Sequence, residues 1–570
     1  MRTLAPRIRL VASALALMLA LGGCSLIVDD RTPRVVNQCA GDVDCVGGAH
    51  CDPVSSMCVQ VPELPYDLWL QVTPPSDPSV TSIPTDLGPY TSFAGSISLA
   101  VPRPTPVRGT VRRGDVPVSA QITFTPTQPS ALGGRAVIAT TSGASGDVDF
   151  STQLPSRGTY DVLVEPIGAF RATVPPFRAP MPLMLGVGGT ALSIVLPTDE
   201  THIVGDLVDD AGVPGFEVLA VDRATGARIS SVSTTGTDAA APGHFDVVLP
   251  ATGSAFDLVI RPTADRQASG LAPTYRIAPE LLMPDGTGAV RILVPGHLVP
   301  VHWRGTVEYP ETRGMRPVAG AVIQLHSDDI VDASTGLVGS FDLTVTTDAE
   351  GVYDAMLLPG TYTIAIVPSA DEELGILRET RELRATAGSN NEILGHVFRL
   401  PLRTVLSGVV QSPDGDPIRD ASIRAVPTGA TLMGLTDPGV TRLARSSTAT
   451  SGALGDFRVE LDVGVYDLVV QPPEASRYPW SIVLDYGIGG SSAPLADVVQ
   501  VDAPVVVESD LTWLDGGALA SAEVRAYAVT PDHRVIQVGR TTSDAQGHAR
   551  LLVPPMLGSH DPTAAAARTR

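Results

Sequence analysis

The sequence predicts an all-β protein of tandem antiparallel β-sandwich modules behind a small disulfide-rich segment, and three observations predict it. The chain has 570 residues with 55 glycines and 50 prolines, the residues that most often separate short strands. A pattern of short strands recurs at a spacing of about one hundred residues, as in repeat proteins. Four of the five cysteines fall within residues 39–58.

The chain begins with the pattern of a secretory signal in residues 1–23. Arg2, Arg7 and Arg9 precede an apolar run, Leu10–Leu21, which matches the charged and apolar regions of an export signal. The run is shorter than the about 20 apolar residues that a transmembrane helix needs, and no other stretch reaches that length. The sequence therefore predicts an exported chain without a spanning helix.

Leu21-Gly22-Gly23-Cys24 resembles the lipobox of bacterial lipoproteins. The resemblance implies cleavage before Cys24 and lipidation of its thiol, which would hold the chain to the membrane because each buried CH₂ contributes about 0.8 kcal/mol. The alternative is an ordinary signal peptide with a chance cysteine. Some Gram-negative lipoproteins carry a retention aspartate where this chain has Ser25. We therefore expect an outer-membrane lipoprotein on the periplasmic or extracellular face, with the membrane as a partner through the anchor.

A cysteine-rich segment, 39–60, follows a linker, 24–38. An even number of cysteines in an oxidising compartment predicts two disulfides, with three possible pairings. Structural zinc is the alternative, but its cysteines usually stand two to four residues apart, whereas five, five and six residues intervene here. The segment resembles the small cysteine-rich knots near the anchor of some bacterial surface lipoproteins. The predicted disulfide cysteines are Cys39, Cys45, Cys51 and Cys58.

The chain is acidic and contains no lysine, which excludes several functions. It carries 39 basic and 61 acidic residues, a net charge of −22, or −25 without the three signal arginines. Such a surface repels phosphate backbones, so we expect no nucleic-acid partner. Without lysine there can be no P-loop lysine, pyridoxal Schiff base or Ser-Lys dyad.

A strand that begins with an aromatic residue and ends in proline marks each repeat. Its five copies start 94, 96, 106 and 104 residues apart. Apolar and polar side chains alternate along each copy, as in a half-buried strand, and the proline ends the strand. The copies, here called the aromatic strands, are Tyr66–Pro74, Tyr160–Pro166, Phe256–Pro262, Tyr362–Pro368 and Tyr466–Pro472.

Further motifs stand at fixed places around the aromatic strands. They follow the order G-x-V, P-x-x-x-A-x-I, T-D-x-x-G-x-Y and L-P-x-G-x-Y-x-I-x-V, best seen in Arg304–Pro368. This order resembles the carboxypeptidase regulatory-like domains, also called transthyretin-like or prealbumin-like. The resemblance implies accessory β-sandwiches without catalytic residues. Related collagen-adhesin domains carry a Lys-Asn crosslink, which this lysine-free chain cannot form.

The motifs divide the chain into a rod or string of modules. The last repeat stops after Val553-Pro554-Pro555 without an aromatic strand, so either that strand is dispensable or the chain end is abnormal. The predicted division is signal 1–23, linker 24–38, cysteine-rich segment 39–60, strand-containing connector 61–100, repeats 101–200, 201–298, 299–400 and 401–505, and a partial fifth repeat with tail, 506–570.

The sequence predicts no catalytic residue, metal site or cofactor. The ten histidines are scattered without an H-E-x-x-H motif, and the nearest run to a G-x-S-x-G elbow, Gly143–Gly146, lies in a predicted turn. Acidic turns such as Asp414-Gly415-Asp416 would suit Ca²⁺ but lack the spacing of a twelve-residue loop. The charged stretch 371–384 is expected to be a short surface helix or an edge elaboration.

These observations predict a non-catalytic cell-envelope lipoprotein that acts as a spacer, scaffold or adhesion module. An envelope protein or a polysaccharide is the expected partner class. The alternative is a carbohydrate-binding or substrate-capturing surface lipoprotein, which would expose pairs of aromatic residues. Trp303, Trp480 and Trp513 are the candidates, although aromatic residues make up only 5% of the chain, which disfavours an aromatic platform in every repeat.

Overall fold

A computed structural model describes residues 37–559 apart from 47–48, 53–54, 61–62, 77–81, 93–95, 143–148, 210–211, 237–241, 252–254, 270, 283–288, 295–297, 312–313, 332–335, 370–372, 385–389, 429–444 and 490–494. The signal, Cys24, Gly143–Gly146 and the tail 560–570 lie outside the described residues.

The described chain is almost entirely β-structure, in which helix is confined to short segments. These are α1 (Ala264–Ser269) and the 3₁₀ turns Asp42–Asp44, Gly168–Ala172, Pro279–Leu281 and Glu474–Ser476. None of the helices in the described ranges is long and apolar enough to cross a membrane.

The strands follow one another in groups, each of which belongs to one sandwich or hairpin. The cysteine-rich hairpin comprises β1 (His50–Asp52) and β2 (Met57–Val59), and the N-terminal strands are β3 (Glu63–Thr73), β4 (Thr85–Ser92) and β5 (Ile97–Val101). Module 1 comprises β6 (Pro104–Arg113), β7 (Val116–Pro117), β8 (Ala120–Pro126), β9 (Val137–Thr140), β10 (Asp149–Pro155), β11 (Thr159–Pro166), β12 (Phe177–Arg178), β13 (Leu183–Met184) and β14 (Thr190–Leu196). Module 2 comprises β15 (Glu200–Val208), β16 (Phe216–Asp222), β17 (Ser233–Thr234), β18 (His244–Pro250), β19 (Phe256–Pro262), β20 (Thr274–Ile277) and β21 (Val290–Leu293).

The second half of the chain continues in the same way. Module 3 comprises β22 (Val301–Glu311), β23 (Gly314–Pro317), β24 (Val322–Val331), β25 (Val338–Thr346), β26 (Val352–Leu357), β27 (Gly360–Val367), β28 (Leu377–Leu383) and β29 (Glu392–Arg399). Module 4 comprises β30 (Thr404–Gln411), β31 (Ser422–Pro427), β32 (Ser447–Thr450), β33 (Asp456–Leu461), β34 (Gly464–Gln471), β35 (Ser481–Ile488) and β36 (Leu495–Gln500). The C-terminal strands are β37 (Val505–Trp513), β38 (Glu523–Val529), β39 (Val535–Thr542), β40 (His548–Val553) and β41 (Gly558–Ser559).

Each module packs two sheets around its own apolar core. In one sheet a central strand with the G-x-V motif pairs antiparallel with one neighbour and parallel with the module's last strand, as β6 does with β10 and β14. In the other sheet the aromatic strand pairs antiparallel with a strand from the first half of the module, as β11 does with β8. This is the tandem β-sandwich architecture that the sequence predicts.

The glycine of the G-x-V motif is required by close packing between strands. At Gly408, an added Cβ would lie 2.6 Å from the carbonyl oxygen of Asp497 on the parallel strand and 2.6 Å from the ring of Phe457. Real Cβ atoms do not approach other atoms so closely, so a side chain here would force the strand and the ring apart. Equivalent glycines meet the same two obstacles in modules 1 to 3, at Gly109, Gly205 and Gly305.

The fifth sandwich, here called the closing module, is built from both ends of the described chain. Its central strand β37 pairs antiparallel with β40 and parallel with β5, and the next strand along the chain, β38, pairs with the aromatic strand β3. Leu68 and Leu70 of β3 share one buried core with Val524 and Leu551. The N-terminal segment thus supplies the aromatic strand that the last repeat lacks, which differs from the predicted connector 61–100 and partial repeat 506–570.

The closing module makes the arrangement of modules cyclic. Two residues separate its strand β5 from the first strand of module 1, and four residues separate the last strand of module 4 from its strand β37. Modules 1 to 4 therefore form a chain whose two ends are attached to the same sandwich. A rod or string with two free ends does not fit this connectivity.

Neighbouring modules also contact each other beyond their covalent links. Arg228 of module 2 lies 3.2 Å from Glu165 of module 1, and pairing of β20 with β25 joins modules 2 and 3 in one eight-stranded sheet. Val469 and Ile482 of module 4 belong to the buried core of the closing module. The stretch 371–384, expected to be a helix or an edge elaboration, contains the edge strand β28.

Candidate functional site

A cleft of about 540 Å³ lies where the closing module meets module 1. This inter-module cleft has the size of typical small-molecule sites, roughly 300–1,000 Å³. Its walls come from four separate parts of the chain, which are β3 to β5, the β8–β9 region, the turn between β10 and β11, and the residue that follows β37. The lining includes Trp69, Asp86, Pro126, Gln128, Ser130, Arg135, Arg157, Tyr160 and Leu514.

Trp69 forms part of the apolar wall of the cleft. It lies on the face of β3 opposite the core residues Leu68 and Leu70, yet only 9% of its surface is exposed. Gly88 of β4 packs against it, since an added Cβ there would lie 3.1 Å from the indole ring. Trp69 therefore exposes only a small part of its surface to the cleft.

Trp69 is not among the site residues predicted from the sequence, although the repeat contains a signal for it. The other four aromatic strands carry Leu163, Val259, Ala365 and Val469 at the equivalent position. A tryptophan among small aliphatic residues indicates a different environment. Only the pairing of β3 with β38 identifies that environment as the junction of two modules.

Asp86 joins the two sides of the cleft through hydrogen bonds. One carboxylate oxygen accepts a hydrogen bond from the side chain of Gln71 at 3.0 Å, and the other accepts one from the hydroxyl of Ser130 in module 1 at 2.8 Å. A hydrogen bond to a carboxylate is stronger than one between neutral groups. Asp86 therefore stabilises the contact between the closing module and module 1.

Arg135 and Arg157 give the module 1 side of the cleft a positive charge. Both are exposed, and within the described residues neither lies within 4.0 Å of a carboxylate oxygen. Other arginines are paired, for example Arg525 with Glu523 at 2.9 Å and Arg534 with Asp485 at 2.8 Å. The cleft lining thus includes two arginines without a carboxylate partner in the described ranges, in a protein of net charge −22.

Tyr160 lines the cleft, and its phenol is held in the protonated form. Burial raises the pKa of Tyr160 to about 12, and its hydroxyl donates a hydrogen bond to the carbonyl oxygen of Pro155 at 3.1 Å. The phenol is therefore protonated near neutral pH. The described lining contains no histidine, cysteine or glutamate.

The three tryptophans proposed for ligand binding do not form an exposed pair among the described residues. Trp303 is fully buried in the core of module 3, with its ring centroid 4.3 Å from that of Tyr353. Trp480 packs against the core of the closing module. Trp513 is partly buried, and the guanidinium carbon of Arg103 lies 4.5 Å from its ring centroid.

The four cysteines of the N-terminal segment form two disulfides. Cys39 pairs with Cys51, and Cys45 pairs with Cys58. In the part of the chain that the structure describes, the one set of three or more close metal-ligand types is Cys39, Cys45 and Cys58. These sulfurs are already bonded in disulfides, whereas a metal ligand must be a thiolate.

Several histidines pair with aspartates on the surfaces of the modules. In module 3, His302 Nε2 lies 2.7 Å from Asp354 Oδ1. This hydrogen bond raises the pKa of His302 above its ordinary value of 6.5, against a smaller opposing effect of burial. Similar pairs join His202 to Asp246, His244 to Asp206 and His548 to Asp510.

A buried ionic cluster joins modules 3 and 4. Asp462 is 1% exposed, and its carboxylate accepts hydrogen bonds from Arg445 at 2.9 Å and from the backbone N–H of Ile376 at 3.1 Å. Burial acts to raise the pKa of Asp462, but hydrogen bonds and charge from Arg445, with Arg403 nearby, hold it below its ordinary value. Because Asp462 is buried and bonds to groups of both modules, this cluster stabilises the junction between them.

Comparison with known proteins gives similarity to solved structures alone, since no protein-family profile and no curated protein matches the chain. The Bacillus anthracis TIE protein is 11% identical, with 70% of this chain and 73% of that one covered and a TM-score of 0.15. A streptococcal ancillary pilin is 13% identical, with 70% and 99% covered and a TM-score of 0.19. The major pilin subunit BcpA of Bacillus cereus is 10% identical, with 54% and 99% covered and a TM-score of 0.15. Similarity at this level says nothing about function.

Proposed function

We propose that the chain is a non-catalytic scaffold or adhesion module of the cell envelope, lipidated at Cys24 and attached to the outer membrane. The observation that carries the proposal is the closing module, in which strands from both ends of the chain share one core. Because both ends of the chain share this core, the five sandwiches form one closed unit, which the lipid at Cys24 would tether to the membrane. Such a unit presents surfaces for an envelope protein or a polysaccharide.

The short tether favours a scaffold close to the membrane over a long spacer. Twelve residues separate Cys24 from Asn37, and a fully extended chain of that length reaches at most about 45 Å. The cysteine-rich segment then packs on the modules, since Asp52 lies 3.3 Å from Arg550 and the carbonyl oxygen of Ser55 accepts a hydrogen bond from Arg477. The modules would therefore remain near the bilayer.

Membrane fractionation and protease shaving of intact cells test the proposal. We expect the wild type in the outer-membrane fraction and Cys24→Ala in the soluble fraction, with Ser25→Ala as the control that keeps the cysteine. Shaving of the wild type would direct the search to extracellular partners, and protection would direct it to periplasmic ones. A Cys24→Ala variant that fractionates like the wild type would rule out the lipid anchor.

The inter-module cleft supports a second candidate function, capture of a carbohydrate or another small substrate. Its size, its apolar wall at Trp69 and its free arginines suit a small ligand. Capture and scaffolding are compatible, because the cleft lies at the junction that closes the arrangement.

A further inference from the structure

We propose that the inter-module cleft binds a carboxylate-bearing saccharide, a sugar chain of the uronic-acid type. This inference rests on the second proposed function and specifies its ligand class. Three features of the cleft support it: its charge, its supply of hydrogen-bonding groups and its position between two modules.

The charge of the cleft favours an anionic ligand. Arg135 and Arg157 have no carboxylate partner among the described residues, while the Asp86 carboxylate already accepts hydrogen bonds from Gln71 and Ser130. A planar guanidinium group can donate two parallel hydrogen bonds to one carboxylate. An acidic sugar would supply that carboxylate, whereas a neutral sugar would leave both arginines unpaired.

The hydrogen-bonding groups of the cleft favour a saccharide over an extended peptide. Five prolines line the cleft, Pro84, Pro102, Pro126, Pro129 and Pro155. Proline has a carbonyl acceptor but no N–H donor, whereas a bound peptide strand needs both in alternation. Sugar hydroxyls can donate to such carbonyl groups, and Gln128 provides a further side-chain partner.

The position of the cleft predicts that the ligand stabilises closure. Trp69 and Asp86 belong to the closing module, and Arg135 and Arg157 belong to module 1. A ligand that contacts both walls binds the closed arrangement better than an opened one, so binding raises the midpoint of thermal unfolding. A ligand held on one wall alone would not depend on the junction.

Calorimetric titration of the full mature chain tests the proposal, with Cys24→Ala used to avoid lipid. The probes are trigalacturonic acid, maltotriose as the neutral trisaccharide, and inorganic phosphate. We expect saturable binding of trigalacturonic acid alone. Arg135→Gln and Arg157→Gln should each weaken it roughly tenfold or more, the usual effect of losing a hydrogen bond to a charged group.

Arg291→Gln is the matched control, because Arg291 is an exposed arginine on β21 of module 2 without a described ion pair. It should leave the affinity unchanged, and all three variants should unfold at the wild-type temperature. Trigalacturonic acid binding that is insensitive to both cleft variants overturns the site. Equal binding of maltotriose, or of phosphate alone, overturns the acidic-saccharide class but leaves capture standing. Absence of binding by every saccharide rejects both, and membrane fractionation tests the scaffold separately.

Discussion

Replacement of Leu70 by alanine tests whether the two ends of the chain share one core. Leu70 lies on β3, is 0% exposed and packs in the closing module with Val524 and Leu551. A Leu→Ala change at a fully buried site costs about 2–5 kcal/mol, the sum of lost transfer free energy and the cavity left behind. Since Leu70 belongs to this core, the loss should appear in the C-terminal strands as well as in β3.

Hydrogen exchange measured by mass spectrometry locates that loss. Peptides that cover 523–553 should exchange faster in Leu70→Ala by a factor of roughly 30 to 4,000, because each 1.4 kcal/mol changes an equilibrium tenfold. Leu207→Ala is the control, since Leu207 is also 0% exposed but belongs to the core of module 2. It should increase exchange in module 2 and leave 523–553 unchanged.

Unchanged protection of 523–553 in Leu70→Ala would refute the shared core. In that case the segment 61–100 would be a connector, as predicted from the sequence, and the last repeat would have no aromatic strand. The measurement needs no knowledge of the ligand or the anchor, so it tests the closure alone.

Two further predictions concern charged groups at the modules. Asp462→Asn should destabilise the protein by about 3–5 kcal/mol, because Arg445 would remain buried without its counter-ion. The control is Asp420→Asn at an exposed site, which should change the free energy of unfolding by less than about 0.5 kcal/mol. Chemical denaturation measures both variants, and equal effects would contradict the buried pair. His302→Gln should cost about 0.2–1 kcal/mol at pH 5.5 and almost nothing at pH 8.5, because the partly exposed pair with Asp354 raises the folded-state pKa of His302. Its stabilisation is complete below the unfolded value of 6.5 and is lost as the pH rises through the folded pKa, so a loss at pH 8.5 alone would contradict the sign.

Local sequence patterns were sufficient to predict the modules, because each pattern follows from one way in which the strands pack. The aromatic strand reports alternating burial, and the motif glycine reports the close approach of a parallel strand and a ring, as at Gly408 and Phe457. The closing module lacks both members of this pair. Ser509 stands at the glycine position of β37, and its antiparallel partner is Ala549 in place of an aromatic residue. The small alanine removes one of the two obstacles, the aromatic ring, and Ser509 still pairs with both neighbouring strands, β40 and β5.

The cleft could not be predicted from the sequence, because its walls come together only through pairing between distant segments. Trp69 belongs to the first aromatic strand, and Leu514 follows the last central strand. Neither residue is unusual within its own motif beyond the size of the indole. The sequence likewise does not show which arginines lack a nearby carboxylate, because ion pairing of Arg135 and Arg157 depends on the folded surface.

Closure also sets the order in which the chain can fold. Modules 1 to 4 each form from a contiguous segment, whereas β3 and β5 must wait for β38 and β37. Bringing distant segments together costs entropy, but each doubling of loop length adds only about 0.6 kcal/mol for a flexible chain. Once modules 1 to 4 are folded and in contact, most of the chain between β5 and β37 is no longer a flexible loop, so less entropy is lost when the two segments meet. We therefore expect closure to be the last step of folding, and any substitution that loosens a module junction to slow that step more than it slows the folding of the modules themselves.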